Sequence, residues 1–529
     1  MSVNTHRSLK QRLTRRGFLK AAAGTAALGL LQTGGPTRLY AAAARPAGPT
    51  RGGTLTLAKT AGIQDFNPMN LRPGHFAHQR ALFSTLAHYD AQLRPQPELA
   101  EKWEFSADGK SLSFKLRQGV KFHSGREFTA EDVKHTVEFA SSSEWVTMRT
   151  LYQTIKKVET PDKYTAVLRF DAVNPGVFDL LDTLYILDME NLKDLPKSPI
   201  GTGPFKLEKY IPNDRVETVA FKDYWDRGKP YLDKFVIRQI PDVTTLVINL
   251  ESGAVDCIWQ PTYRDVARLK EAGGKFVADM GAPGSNMYAL AIGCKTEPFT
   301  NKKVRQAIAW ATDRARFCKT TLQGLVEPTC LMWPAHSWAY FKDLEGTIGY
   351  NLEKAKALLK EAGLEKGFET EIMSSSAQMF GLLDMAQILQ ADLRKIGVNA
   401  KIADVEPGIY NTRIQQKRDF GIAIDTYGRA SRDPGTLVTA AKSWYTDKEG
   451  GKTRFESAEW DQLRNDLQST LDQGKRKAIC RRLQEMALDE CFTILIATNQ
   501  RPWVMGSYVK GFAYDMDNSP FVDEIWLER

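Results

Sequence analysis

The side chains that could handle a small molecule are dispersed along this 529-residue chain rather than gathered in one motif. His75 and His78 form an HxxH at i, i+3, but no third ligand accompanies them, so the pair falls short of a zinc set. Six cysteines (Cys257, Cys294, Cys318, Cys330, Cys480 and Cys491) lie in the second half without any CxxC, which gives zinc or iron–sulfur ligation little support. Gly201-Thr202-Gly203 is too short to cradle a phosphate and reads as a turn. No GxGxxG follows a strand, and there is no GxSxG elbow, no HExxH and no P-loop. No cofactor, no metal and no catalytic residues are expected. What remains is hydrogen-bonding and stacking chemistry. Ser374, Ser375 and Ser376 offer hydroxyls suited to polyols and amides. Arg429 and Arg432, with Ser431 between them and Tyr427 just before, offer forked donors for carboxylate, phosphate or sugar oxygens. The alternative is that both arginines pair with acids such as Asp425 or Asp433. Trp259, Tyr288, Trp333 and Trp444 could stack against rings or sugars, or could be core residues. These residue types suit hydrogen bonding and stacking rather than nucleophilic attack.

The elements that must position them read as mixed α/β. Phe114, Leu116, Val120 and Phe122 alternate with charged neighbours, which predicts a half-buried ribbon punctuated by Gly119 and Gly125. Thr129 with Asp132 makes a near capping box for the helix that follows. Val304, Ile308 and Ala311 predict a helix over 302–312, and Asn351 caps another that Gly363 stops. Residues 380–396 are apolar-periodic up to Gly397, Ser457 caps a helix toward Leu471, and a further helix is predicted over 475–489. The run FTILIAT at 492–498 predicts a buried strand. Helix, glycine and strand recur in this half, as α/β architecture requires.

Several phrases carry a resemblance. FKLRQGVKFHSGREFTAEDVKHTV (114–137) resembles the signature of the family 5 extracytoplasmic solute-binding proteins, the peptide-, nickel- and oligosaccharide-capturing subunits of ABC importers. RGGTLTL (51–57), DFNP (65–68), ELAEKW (98–103), PIGTGPF (199–205), LESGAVD (250–256), VRQAIAWATDR (304–314), YNLEKAKALLKEAG (350–363) and LQADLRKIGV (389–398) follow in the family's order. The resemblance implies a two-lobed class II periplasmic-binding-protein fold with an extra subdomain on lobe I and two crossover strands. It places lobe I at 45–83, 199–284 and 503–529, the extra subdomain at 84–198 and lobe II at 285–502, with hinges near Ala282–Asn286 and Asn499–Trp503. It puts Phe66, Asn67 and Asn286 in loops facing the cleft. The partners it implies are a small-molecule or oligomeric solute and an inner-membrane ABC permease with its ATPase; a monomer is expected. Peptide-binding members use an Asp four residues before the Pro of an acidic-Pro pair to receive the ligand's α-ammonium. Here the pair is Asp433-Pro434 and the position holds Ala430, between arginines. Dipeptide-type members also present an Arg near 373–378, where this chain has MSSSAQ. Both departures predict an acidic, hydroxylated or N-blocked solute instead of a plain peptide. A di- or oligopeptide ligand is the alternative within the family; a twin-arginine-exported enzyme is the alternative outside it.

The first 44 residues read as an export signal. They hold seven Lys or Arg and no acid, and TRRGFLK (14–20) is a twin-arginine motif through Arg15, Arg16, Phe18, Leu19 and Lys20. The apolar run 21–31 is too short for a permanent membrane helix, and small residues at 41–44 suit signal peptidase. No Cys precedes Cys257, so no lipid-anchoring cysteine is expected, and the twin-arginine machinery and a free periplasmic location follow as expectations. The chain's formal charge of +9 falls to +2 without this segment, which excludes a nucleic-acid footprint. The remaining 485 or so residues exceed one hydrophobic core. An oxidising compartment permits disulfides such as Cys318–Cys330 or Cys480–Cys491, and buried thiols are the equal alternative.

Overall fold

Alternation of apolar and polar residues builds the central strand of the first sheet. In Thr54–Lys59 the side chains of Leu55 and Leu57 are fully buried, and the strand pairs parallel with both Lys234–Gln239 and Cys257–Trp259. The full order of this seven-stranded sheet is Phe276–Asp279, Trp503–Gly506, Cys257–Trp259, Thr54–Lys59, Lys234–Gln239, Arg215–Ala220 and Phe205–Ile211. The computed structural model describes residues 48–70, 76–90, 92–282, 286–428 and 432–529. The export motif (Arg15 to Lys20), His75, Arg429, Ala430 and Ser431 lie outside the described residues.

A parallel pair needs a long crossover. The one between Lys59 and Lys234 carries a whole antiparallel sheet, ordered Ala100–Phe105, Ser111–Leu116, Thr165–Phe170 and Ile155–Asp162. One continuous apolar cluster runs from this inserted sheet (Phe114, Leu168) into the first sheet (Leu57, Phe235, Trp259), so the two pack as neighbours on one core.

The second large sheet has five strands, ordered Asn399–Asp404, Glu369–Ser374, Ile422–Gly428, Asn286–Ile292 and Thr493–Asn499. One of its faces buries Tyr288, Leu290, Ile372 and Ile424 against helices Lys302–Ala311 and Leu382–Arg394; the other buries Met287, Tyr427 and Leu495 against Trp333, Trp444 and Trp460. Period-two alternation on a sheet covered on both sides explains why Asn286–Ile292, Ile422–Gly428 and Thr493–Asn499 are buried almost throughout, while the edge strand Asn399–Asp404 stays largely polar. The chain passes from the first sheet to the second through 280–285 and returns through 500–502. We call the bodies around the two sheets lobe I and lobe II.

The caps read from sequence operate. Asn351 accepts from the Lys354 N–H and Ser457 from the Trp460 N–H, while the Thr129 N–H donates to Asp132 at 2.9 Å. The ribbon predicted through Phe122 is shorter: the strand stops at Leu116. Gly119 takes φ +72° and breaks the strand, and Val120 and Phe122 are buried on either side of Lys121, whose isolated antiparallel bridge to Glu127 forms a short separate hairpin. Even spacing therefore continued past the point where the backbone left the sheet. All six cysteines are free thiols, which decides the disulfide question left open by spacing. Burial pushes the Cys318 thiol up to about 12, as expected of an inert core sulfur. No described helix is long and apolar enough to cross a membrane.

Candidate functional site

The strands of lobe II bring a set of loop residues to one edge. Glu369–Ser374, Asn399–Asp404 and Ile422–Gly428 run parallel; Ser374 and Asp404 end side by side, and the third strand, paired through Met373 and Ala423, runs on beyond them to Gly428. Asn286 pairs with both Gly428 and Asn499, which places the two connecting segments on the same edge. In lobe I, Lys59, Gln239 and Trp259 end parallel strands; Trp503 lies opposite Trp259, and Asp279 opposite Trp503. Both connections therefore run from the carboxyl edge of one sheet to the carboxyl edge of the other. Open α/β sheets bind ligands outside those edges, where loops rather than paired backbone face outward.

Several expected residues meet there. The Tyr288 hydroxyl donates to the Phe380 carbonyl at 3.0 Å, and Asn286 and Asn499 both turn their amides toward the Met379 sulfur, at 3.8 and 2.7 Å. Phe380 is about half exposed (52%) and its ring lies 5.9 Å from Tyr263 of lobe I, so this loop touches both lobes. Ser376 caps the neighbouring loop through the Asp404 carboxylate, with bonds of 2.8 and 2.6 Å. Ser374 and Ser375 are fully buried beside it, and neither hydroxyl has a hydrogen-bond partner among the described residues. On the lobe I edge Trp259 stacks on Trp503 at 5.6 Å. Asn67 holds its own loop, donating to the Trp145 carbonyl at 3.1 Å and accepting from the Met69 N–H at 3.1 Å. Phe66, expected to face the cleft, is instead fully buried in the apolar core beneath the first sheet, edge-on to Tyr210 and His78.

Other expected residues lie elsewhere. Tyr427, Trp333 and Trp444 are buried within lobe II, where the Tyr427 ring stands edge-on to Trp444 at 5.3 Å and Trp444 stacks on Trp460. Arg432 is 3% exposed and pairs with Asp182 of the inserted subdomain and with Asp517 of the C-terminal segment. Neither partner is among the acids weighed for it from sequence. Asp433 instead forms a two-armed pair with Arg476, at 2.5 and 3.0 Å, and Asp425 pairs with Lys452 at 2.9 Å.

Arg432 closes a network that sequence reasoning missed. Arg80 binds Asp515 at 2.7 Å, Asp182 at 3.1 Å and Glu98 at 3.3 Å, so Asp182 is shared between two guanidiniums from different lobes. Burial alone would raise Glu98, but the His88 hydrogen bond and the Arg80 charge draw it down to about 2. Burial pushes Asp515 up to about 6 against the pull of Arg80. Such a network joins lobe II to both the inserted subdomain and the C-terminal segment, because charges removed from water must find partners wherever the fold offers them. Arg501, on the return connection, was also missed; burial lowers its pKa, partly offset by Asp517. The only sequence signal for it was its position two residues before Trp503.

Comparison with known proteins agrees with this architecture. The E. coli K12 dipeptide-binding protein is 29% identical over 500 residues, covering 87% of this chain and 92% of that one. The structure of AgaA from A. tumefaciens R10 with agropinic acid aligns at TM-score 0.72 and 26% identity, over 90% of this chain and 99% of that one. HbpA2 from Haemophilus parasuis shares the fold at TM-score 0.81 and 24% identity, over 90% of this chain and the whole of that one. Residues 94–449, two thirds of the chain, match the family described as bacterial extracellular solute-binding proteins, family 5 Middle. Two sheets whose carboxyl edges meet at two chain crossings, a subdomain inserted on the first, and this match together place the chain in the family 5 solute-binding proteins of ABC importers.

Proposed function

We propose that the protein captures a small or medium organic solute between its lobes in the periplasm and delivers it unaltered to an inner-membrane permease and ATPase. In this reading it is a monomer exported by its twin-arginine segment, with lobe I at 45–83, 199–284 and 503–529, the extra subdomain at 84–198 and lobe II at 285–502. The solute is acidic, hydroxylated or N-blocked. One observation carries that choice: the loop position that would hold an ammonium-binding Asp is Ala430, and the described carboxylates that meet the neighbouring Arg432, Asp182 and Asp517, are already paired with it. Enclosing an ammonium without a carboxylate costs about 3–5 kcal/mol, which removes at least two orders of magnitude in affinity. Unpartnered hydroxyls on Ser374 and Ser375 at the lobe II edge favour a hydroxylated or amide-bearing ligand.

A di- or oligopeptide is the second reading, favoured by the likeness to the E. coli dipeptide-binding protein. A thermal-shift screen separates them: free dipeptides against N-acetylated dipeptides, sugars, opine-like compounds and organic acids. A ligand at 100 times its Kd stabilises the folded state by about 2.7 kcal/mol, enough to read as a shift in melting temperature. Stabilisation by free dipeptides but not by their N-acetylated forms would overturn the preferred reading. For whichever solute binds, Arg429→Ala should weaken affinity while leaving the melting temperature of the free protein nearly unchanged; wild-type affinity would remove Arg429 from the site.

A further inference from the structure

We propose that the captured solute is an anion, a carboxylate on a hydroxylated body, and that Arg501 receives its charge; this rests on the reading of the cleft as the capture site. Arg501 stands in the middle of the return connection. Asn499, two residues before it, pairs with Asn286 on the lobe II edge and turns its amide toward the Met379 sulfur. Trp503, two residues after it, stacks on Trp259 at the lobe I edge. Two residues of chain span at most about 7 Å, so Arg501 lies close to both edges. Its backbone is held on either side: the Tyr263 hydroxyl donates to the Gln500 carbonyl and the Gln260 N–H to the Pro502 carbonyl, each at 2.8 Å. The Arg501 carbonyl oxygen abuts the other connection, since a Cβ at Gly281 would lie 2.4 Å from it. The side chain is therefore rooted where the two crossings meet.

Donors at this crossing lack acceptors. The Arg501 guanidinium is half-buried and has neither a hydrogen bond nor an ion pair among the described residues. The carboxylate whose charge reaches it, Asp517, is bound by Arg432. Two residues along, the buried indole N–H of Trp503 has no acceptor among the described residues either. Buried charges are ordinarily paired, and a donor stripped of water without an acceptor costs free energy that a ligand acceptor recovers. A guanidinium has five donors and no acceptor, so the matching group is one that only accepts; the two oxygens of a carboxylate fit its fork. Burial lowers the pKa of Arg501, yet a guanidinium starts so high that it stays charged at neutral pH. The body attached to that carboxylate meets the lobe II edge. The Ser374 and Ser375 hydroxyls there have no partner, and the Asn286 and Asn499 amides face a thioether, a weak acceptor that a ligand hydroxyl improves on. Because Arg501 belongs to the connection itself, an anion held there and touched by both edges favours the closed arrangement of the lobes.

The probe is sodium gluconate, titrated calorimetrically into the protein up to about 10 mM, where a Kd of about 1 mM would be nearly saturated. Sorbitol, a polyol of the same chain length, is the uncharged control. The wild type should bind gluconate saturably and about tenfold or more tightly than sorbitol. Arg501→Gln should lose that preference, with gluconate falling to the level of sorbitol. The melting temperature of solute-free Arg501→Gln should stay at or above the wild-type value, because an unpaired half-buried charge has been removed. Arg501→Lys keeps the charge without the fork and should retain part of the preference, so the test stands even where Arg501→Gln folds poorly. Gluconate and sorbitol bound alike by the wild type, or a preference undiminished in both variants, would overturn the role of Arg501 while leaving cleft capture standing. A lowered melting temperature with equal loss of both probes would make Arg501 structural and overturn it too. Absence of gluconate binding to the wild type would also overturn it; if a free dipeptide binds instead, the acidic-solute reading beneath it falls as well.

Discussion

His123 illustrates how a single side chain is determined by its surroundings. Its Nδ1 accepts the Gly201 N–H at 3.3 Å and its Nε2 lies 3.0 Å from the Gly203 carbonyl, so the neutral ring with its proton on Nε2 satisfies both contacts. Burial lowers its pKa to about 4, and a second proton on Nδ1 would oppose the Gly201 donor. In the unfolded chain the ring takes up that proton near its ordinary value of 6.5. Between those values the unfolded state binds more protons, so stability falls as pH drops from 6.5 toward 4. His123→Gln should lose less stability between pH 7 and pH 5 than the wild type, by about 1–2 kcal/mol, in urea unfolding. An equal loss in both proteins would mean that the folded ring is as easily protonated as the unfolded one. At the same scale, Arg432 shows that residue type alone does not assign a role: a forked donor suits solute oxygens and buried carboxylates equally well.

At the scale of elements, the turn at 199–205 explains its own glycines. A Cβ at Gly203 would lie 2.4 Å from the Leu82 carbonyl carbon and 2.6 Å from the Ala81 oxygen, at the end of helix Phe76–Leu82. Backbone cannot yield as a side chain can, so Gly203→Ala should cost more than about 2 kcal/mol through displacement of the turn. Gly119 makes the opposite case: nothing lies within 4 Å of its Cβ position, but φ is +72°. Gly119→Ala should therefore cost only about 1–2 kcal/mol of conformational strain. Denaturant midpoints of the two variants should rank in that order, and the reverse ranking would mean that the helix end gives way easily. The same segment shows why the ribbon reading overran. Val120 and Phe122 are apolar because they are buried, and burial beside an isolated bridge leaves the same trace in sequence as burial in a sheet strand.

For the molecule as a whole, the Arg432 pairs with Asp182 and Asp517 fasten lobe II to the rest. Removing one member of a buried pair costs roughly 3–5 kcal/mol, because it strands the remaining charge. Opening the cleft returns that charge to water, so the loss should appear as opening before it appears as unfolding. Solute-free Arg432→Met should show a larger radius of gyration by small-angle scattering than the wild type, and a saturating cleft ligand should restore the compact form. Unchanged scattering would mean that apolar contacts such as Tyr263 against Phe380 hold the lobes together.

Local patterns determined much of this protein. The caps at Asn351 and Ser457, the helices around 302–312 and 475–489 and the strand near 492–498 were legible, because capping and periodicity act over a few residues. Family membership was legible from phrases spread along the chain. Tertiary structure alone decided that the six cysteines stay reduced, that Trp333 and Trp444 lie inside lobe II, and that Arg432 meets acids 250 and 85 residues away. Those outcomes depend on which surfaces are brought together and stripped of water, and charge pairing at such separations leaves no periodic mark in the sequence.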